Sequence, residues 1–155
     1  MPKKIHSVIL DNHNWNSILD YGCGKGIFTH TLKKTNNMVV GVDISKNAIN
    51  KAKKTYGHIV EFFDISDTLW KRKYDLLVCL EVLSYIKSYK NQLEEFSRMS
   101  EYIYISLYIP SNPIGFVKST QDLINTINLN FTIETQLIYN EKSIFLLAKS
   151  KKFNK

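Results

Sequence analysis

Asp20-Tyr21-Gly22-Cys23-Gly24-Lys25-Gly26 gathers three of the chain's six glycines into five residues. Glycine costs chain entropy and repays it only where φ must be positive or a ligand must approach the backbone. The run Trp15 to Asp20 before it reads as a buried strand, and Phe28 to Lys34 after it reads as a helix. A strand, a glycine cluster and a helix in succession make a ligand-binding loop a better account than an ordinary turn. The spacing is G-x-G-x-G, whereas a dinucleotide fingerprint is G-x-G-x-x-G. Asp20 stands two residues before the first glycine. At the strand end its carboxylate lies close to the ligand, where it repels a pyrophosphate and suits a cation. No G-K-[ST] follows at P-loop distance.

Further along, short apolar runs alternate with helical stretches. Met38 to Asp43 reads as a second strand. Ser45 caps a helix whose apolar face is Ala48, Ile49, Ala52 and Tyr56, and Gly57 stands at its C-terminal end. Ile59 to Phe63 forms a third strand ending at Asp64, Ser66 to Lys71 a short helical turn, and Tyr74 to Leu80 a fourth strand. Tyr89, Leu93, Phe96 and Met99 repeat at helical spacing. Tyr102 to Ile109 reads as a fifth strand stopped by Pro110, and Ser111 to Lys118 as a loop. Ser119 and Asp122 cap a helix carrying Leu123, Ile124 and Ile127. Phe131 to Tyr139 and Ser143 to Ala148 flank Asn140-Glu141-Lys142 as a terminal hairpin. This alternation predicts an α/β fold: a Rossmann-like, mostly parallel sheet with helices on both faces and a C-terminal antiparallel hairpin. Strands that are apolar nearly throughout fit a sheet buried on both sides. No linker or repeat interrupts the pattern, so residues 1–155 read as a single domain.

Composition narrows the class. The chain has 155 residues, 44% of them apolar and 23% charged, which excludes a disordered chain. No apolar run is long enough to span a membrane, and no secretory leader is visible. Two cysteines, Cys23 and Cys79, do not make a disulfide framework, so a cytoplasmic protein with free thiols is expected. The four histidines are scattered and no C-x-x-C occurs, so no metal site is expected. The net charge of +7 is spread over several lysine clusters, which read as solvated surface rather than as a nucleic-acid footprint.

The pattern D-x-G-x-G-x-G at Asp20 to Gly26 resembles the first motif of the class I S-adenosylmethionine-dependent methyltransferases. The resemblance continues in Gly41-Val42-Asp43-Ile44-Ser45, in Phe63-Asp64-Ile65, in Tyr74 to Leu83 and in Phe116 to Phe131, covering about Trp15 to Ala148. It implies S-adenosylmethionine as cofactor and methyl transfer as activity. By the same resemblance Asp43 takes the ribose hydroxyls, while Gly22 and Gly24 let backbone touch the methionine portion beside Asp20. Asp64 accepts from the adenine amino group, Ile44 and Ile65 face the ring, and the Leu80 backbone accepts from the cofactor's amino group. All lie at strand carboxyl ends, where open α/β sheets bind ligands.

The acceptor is less legible. The fourth strand exits as Glu81-Val82-Leu83-Ser84-Tyr85-Ile86, which lacks both an Asn-Pro-Pro-Tyr motif and the Glu-His pair of many small-molecule relatives. Tyr85 is the candidate to orient or deprotonate an acceptor. A small-molecule or biosynthetic acceptor is expected, at a site with little chain to cover it. A nucleic-acid methyltransferase and a catalytically inactive partner subunit with this fold are the alternatives. The oligomeric state is not readable.

Overall fold

The computed structural model describes residues 2–155, with side chains from Lys4 onward. The chain runs α1 (Pro2–Leu10), β1 (Ser17–Tyr21), β2 (Met38–Asp43), α2 (Lys46–Tyr56), β3 (Glu61–Asp64), β4 (Tyr74–Leu80), α3 (Tyr89–Met99), β5 (Ser100–Tyr108), α4 (Thr120–Asn130), β6 (Phe131–Tyr139) and β7 (Ser143–Ser150). Short 3-10 turns occupy Thr29–Leu32 and Leu83–Tyr85. The seven strands form one sheet in the order β3-β2-β1-β4-β5-β7-β6. β1 to β5 are parallel, and β7 is antiparallel to both β5 and β6.

The pleat sorts the core into two layers. Leu19, Val40, Leu77, Ile103 and Ile105 pack with Leu93 and Phe96 of α3 and Leu123 and Ile127 of α4. Ile18, Val39, Leu76, Val78 and Tyr104 pack on the other side with Ile9 and Leu10 of α1 and Ile49 and Ala52 of α2. Strands buried on both faces have no polar alternation to show, which is why β2 and β4 read as nearly continuous apolar runs. The Ser45 hydroxyl accepts from Ala48 N at 3.2 Å and starts α2 where the sequence places its cap.

Three sequence expectations are corrected. Phe28 to Lys34 is not a helix but loop around the single 3-10 turn. Asn37 holds it short, accepting from Lys34 N and donating to Leu32 O. Ser66 to Lys71 contains no helix either. Asp64 accepts from Ser66 N and Asp67 from Leu69 N, and such side-chain bonds compete with helical ones. Conversely α1 was not expected. Its signal is the four-residue spacing of Ile5 with Ile9 and of His6 with Leu10.

Because β3 returns to β4 without a helix, that face of the sheet is thinly covered. A cavity of about 650 Å³ opens there, between Trp70 and α3, lined by Tyr21, Ile65, Gln92 and Met99 among others.

The strand order reverses between β1 and β4, so their following loops diverge and leave a crevice at the carboxyl end. That crevice is the mouth described next.

Candidate functional site

The first wall of the mouth is the glycine loop. Gly22, Gly24 and Gly26 have φ of 82°, 54° and 77°, the left-handed region closed to most side chains. Their surroundings differ. A Cβ on Gly22 meets Val82 Cγ2 at 2.3 Å, and one on Gly26 meets the Phe62 ring at 2.7 Å. Around Gly24 nothing lies within 4 Å. Gly22 and Gly26 are therefore glycine for packing, while Gly24 leaves its backbone open to an approaching ligand. Gly22 N and Cys23 N both donate to Val42 O, tying the loop to β2.

Asp43 and Asp64 end β2 and β3 as register partners, side by side. Asp43 accepts from Gly24 N through Oδ2 and from Ser45 N through Oδ1, both at 2.8 Å. The ribose candidate thus also braces the glycine loop. Asp64 Oδ1 accepts from Ser66 N at 3.0 Å and Ser66 Oγ at 2.5 Å. Those two bonds hold the Asp64 carboxyl below the usual carboxylate range. Its Oδ2 is buried and has no hydrogen-bond partner among the described residues. Ile44, which follows Asp43, is 78% exposed, and Ile65 is half-buried against the core.

Asp20 requires a correction. It does not face the mouth as an open carboxylate: it is 3% exposed beneath the loop, where its Oδ2 accepts from Thr29 Oγ1 at 2.7 Å. Burial pushes its pKa up from 3.8 to about 7, the Thr29 bond opposing and the Asp43 charge adding to the rise. Thr29, the buried partner of Asp20, carries no signal in the sequence that marks it for this bond.

The opposite wall is made by the exits of β4 and β5. Leu80 ends β4, and Glu81 turns the chain with φ of 59°. Glu81 Oε1 accepts from Ser106 Oγ and Oε2 from Tyr108 N, both at 2.8 Å. Its own N–H donates to Ser106 O at 2.8 Å. Phe116 N donates to Ser84 O, which seats the loop after β5 on the turn after β4. Tyr85 is 83% exposed and Ile114 98%, with Tyr108 and Phe116 also exposed. The sequence puts Glu81 at the fourth-strand exit, but its bonds could not be read there because they go to residues 25 and 27 positions away.

The sequence candidates separate accordingly. Gly22, Gly24, Asp43, Ile44, Asp64 and Ile65 gather around the exits of β1 to β3, Leu80 faces them from β4, and Tyr85 stands on the far rim. Asp75, at the start of β4, accepts from Asn16 N and Ser17 N at the other end of the sheet and takes no part. A pair of adjacent carboxylates beside an open backbone loop accepts hydrogen bonds from hydroxyl and amino groups and repels phosphate.

The family model described as "Methyltransferase domain" matches residues 2–132. A ubiquinone biosynthesis O-methyltransferase from Hydrogenovibrio crunogenus is 30% identical over 78 residues, covering 45% of this chain and 32% of that protein. The chain therefore matches about a third of the length of this curated relative. Among solved structures, a protein from Pyrococcus horikoshii OT3 superposes with a TM-score of 0.80 at 18% identity, over 96% of this chain and 87% of the other. The magnesium protoporphyrin IX methyltransferase of Synechocystis PCC 6803, solved with bound S-adenosylmethionine, superposes with a TM-score of 0.74 at 21% identity, over 97% and 77%. These two likenesses establish the fold.

Proposed function

This chain belongs to the methyltransferase-domain family, and from that premise we propose that it binds S-adenosylmethionine at the glycine-loop mouth and transfers the methyl group to a small-molecule acceptor. The observation that carries the reading is the paired ends of β2 and β3: two adjacent carboxylates, Asp43 and Asp64, beside the open backbone at Gly24. Carboxylate oxygens accept from hydroxyl and amino groups, and a bound ligand with an amino group supplies such a donor. A nucleoside offers such an amino group to Asp64 and ribose hydroxyls to Asp43. The open backbone at Gly24 admits the methionine portion, and Ile44 and Ile65 offer apolar faces to the base.

S-adenosylmethionine, when bound, supplies an electrophilic methyl on a sulfonium whose leaving group is a neutral thioether. The protein's own task is alignment. Asp43 and Asp64 hold the nucleoside end, and the Leu80 carbonyl accepts from the amino group at the other end. The reacting atoms then lie between the glycine loop and the β4 exit, and fixing them there is a proximity effect. Tyr85 stands on the acceptor side, within the rim formed with Tyr108, Ile114 and Phe116. That rim exposes the large apolar and aromatic side chains Tyr85, Tyr108, Ile114 and Phe116, a surface that suits a small organic acceptor. The curated relative is named for O-methylation in ubiquinone biosynthesis and the Synechocystis protein for methylation of magnesium protoporphyrin IX, so small acceptors have precedent in similar proteins. Two thiols that form no disulfide, and no helix among the described residues long and apolar enough to cross a membrane, favour a cytoplasmic setting.

Calorimetric titration with S-adenosylmethionine, followed by transfer of labelled methyl into metabolite and RNA pools, tests the reading. Binding and label in small molecules support it. Label confined to RNA moves the acceptor to nucleic acid, and absence of binding removes the cofactor assignment.

A further inference from the structure

The carbonyl assigned to the cofactor's amino group owes its direction to a neighbour. No cis peptide occurs among the described residues, so the bond between Leu80 and Glu81 is trans and planar, and its C=O and N–H point in opposite directions. The Glu81 N–H points at β5, donating to Ser106 O. The Leu80 carbonyl therefore points the other way, towards β1. Pairing of β1 with β4 ends at Asp20 opposite Val78, so beyond it the glycine loop stands where a strand partner would be.

Three features hold this peptide in place. The Glu81 carboxylate straddles Ser106 Oγ and Tyr108 N, locking the turn to the end of β5. Its φ of 59° is an uncommon conformation for a residue other than glycine, and such conformations persist where surrounding bonds impose them. Val82, the next residue, fills the space a Cβ on Gly22 would need, so the turn also abuts the glycine loop.

We propose that Glu81 is a positioning residue, whose carboxylate clamp on Ser106 and Tyr108 aims the Leu80 carbonyl at the amino group of the bound cofactor. The proposal rests on the cofactor reading above. Glu81 itself accepts no bond from the cofactor and transfers no proton: its effect passes through the peptide it anchors.

The test compares two ligands by calorimetry. S-adenosylhomocysteine carries the α-amino group, whereas 5′-methylthioadenosine keeps the adenine amino group but lacks the α-amino group and its carboxylate. Glu81→Ala removes the clamp and keeps the unfavourable φ. It is expected to weaken S-adenosylhomocysteine about tenfold or more and to leave methylthioadenosine within twofold. Glu81→Gln rebuilds the clamp without the charge, its amide donating to Ser106 Oγ and its carbonyl accepting from Tyr108 N, and is expected to bind both ligands within threefold of wild type. Glu81→Gly relieves the backbone and lacks the clamp, and is expected to follow the alanine variant. It also keeps the test open if Glu81→Ala fails to fold. Equal losses for the two ligands, or no loss for either, overturn the proposal, as does a glutamine variant as weak as alanine. Wild-type protein that binds neither nucleoside instead overturns the cofactor reading, a result distinct from these.

Discussion

At the exits of β1, β2 and β3 the mouth is knitted from backbone and carboxylates, while across the crevice the exits of β4 and β5 present large apolar side chains to solvent. On the first side Asp43 braces Gly24, Asp64 folds its own turn, and Asp20 is sealed under the loop by Thr29. On the second side Glu81 anchors the turn, but Tyr85 and Ile114 stand almost wholly exposed above it. The first half is fixed by hydrogen bonds within the protein, and under the proposed function that lowers the ordering cost of binding. The second half has fixed walls and an open top, so affinity for an acceptor must come from the acceptor's own apolar surface or from what covers it.

The sharpest way to break this contrast is at the point where the halves touch. Gly22→Ala places a methyl 2.3 Å from Val82 Cγ2, on a residue with φ of 82°. Left-handed backbone costs about 1–2 kcal/mol for an alanine and overpacking about 1–3, so a loss of about 2–5 kcal/mol is expected in denaturant unfolding. A variant as stable as wild type would mean the two halves move independently.

Asp20 tests whether the donor half is tuned as well as rigid. Its pKa is about 7 in the folded protein against 3.8 ordinarily, so the folded state holds the proton more tightly than the unfolded chain. Between about pH 4 and pH 7 the folded state binds more protons, and stability from this group falls as pH rises. Above pH 7 the loss is complete, with a ceiling of about 4 kcal/mol. Asp20→Asn keeps an oxygen for Thr29 and removes the titration. It is expected to be more stable than wild type by about 2–4 kcal/mol at pH 8 and to lose the slope between pH 4 and 7. Parallel pH–stability curves for the two proteins would show that Asp20 titrates normally.

Asp43→Ala strikes the donor half twice, removing the ribose acceptor and the brace on Gly24 N. S-adenosylmethionine is expected to bind at least tenfold more weakly, about 1.4 kcal/mol or more, with no change in the apolar rim. An unchanged dissociation constant would remove the ribose assignment.

How much of this was legible beforehand follows the same division. β2, β4 and α2 were readable to the residue, because burial on both faces leaves nearly continuous apolar runs and Ser45 marks a helix start. Asp43 and Asp64 were candidates because their segments resemble class I methyltransferase motifs and end strands, where open α/β sheets bind ligands. The turn at Thr29–Leu32 was misread because Asn37 and Asp20, outside the segment, claim its hydrogen bonds. Burial of Asp20 was misread for a related reason: the loop that covers it is held by Val42, in a different strand. α1 went unseen because its buried face includes a histidine, His6, bonded to Tyr104 in the core, and because Val8 on the same helix is exposed. Local pattern carries strands and caps, whereas bonds between distant segments carry the corrections.

The smallest effect is expected at Tyr85, and it sharpens the contrast most cleanly. Tyr85 sits in the 3-10 turn beyond Glu81 with 83% of its surface exposed and, among the described residues, only its backbone N–H engaged, donating to Val82 O. Truncation there deletes no buried contact, so Tyr85→Ala should change unfolding free energy by less than about 0.5 kcal/mol. Cofactor affinity should stay within twofold, since the ring lies across the crevice from Asp43 and Asp64. If the acceptor half recognises its ligand by apolar surface, the loss appears as a raised KM for the acceptor, with Tyr85→Phe behaving as wild type. If the hydroxyl removes a proton, Tyr85→Phe lowers kcat as much as alanine does. Weakened cofactor binding in either variant would erase the boundary between the two halves, because it would mean a residue with no side-chain anchor shapes the donor pocket.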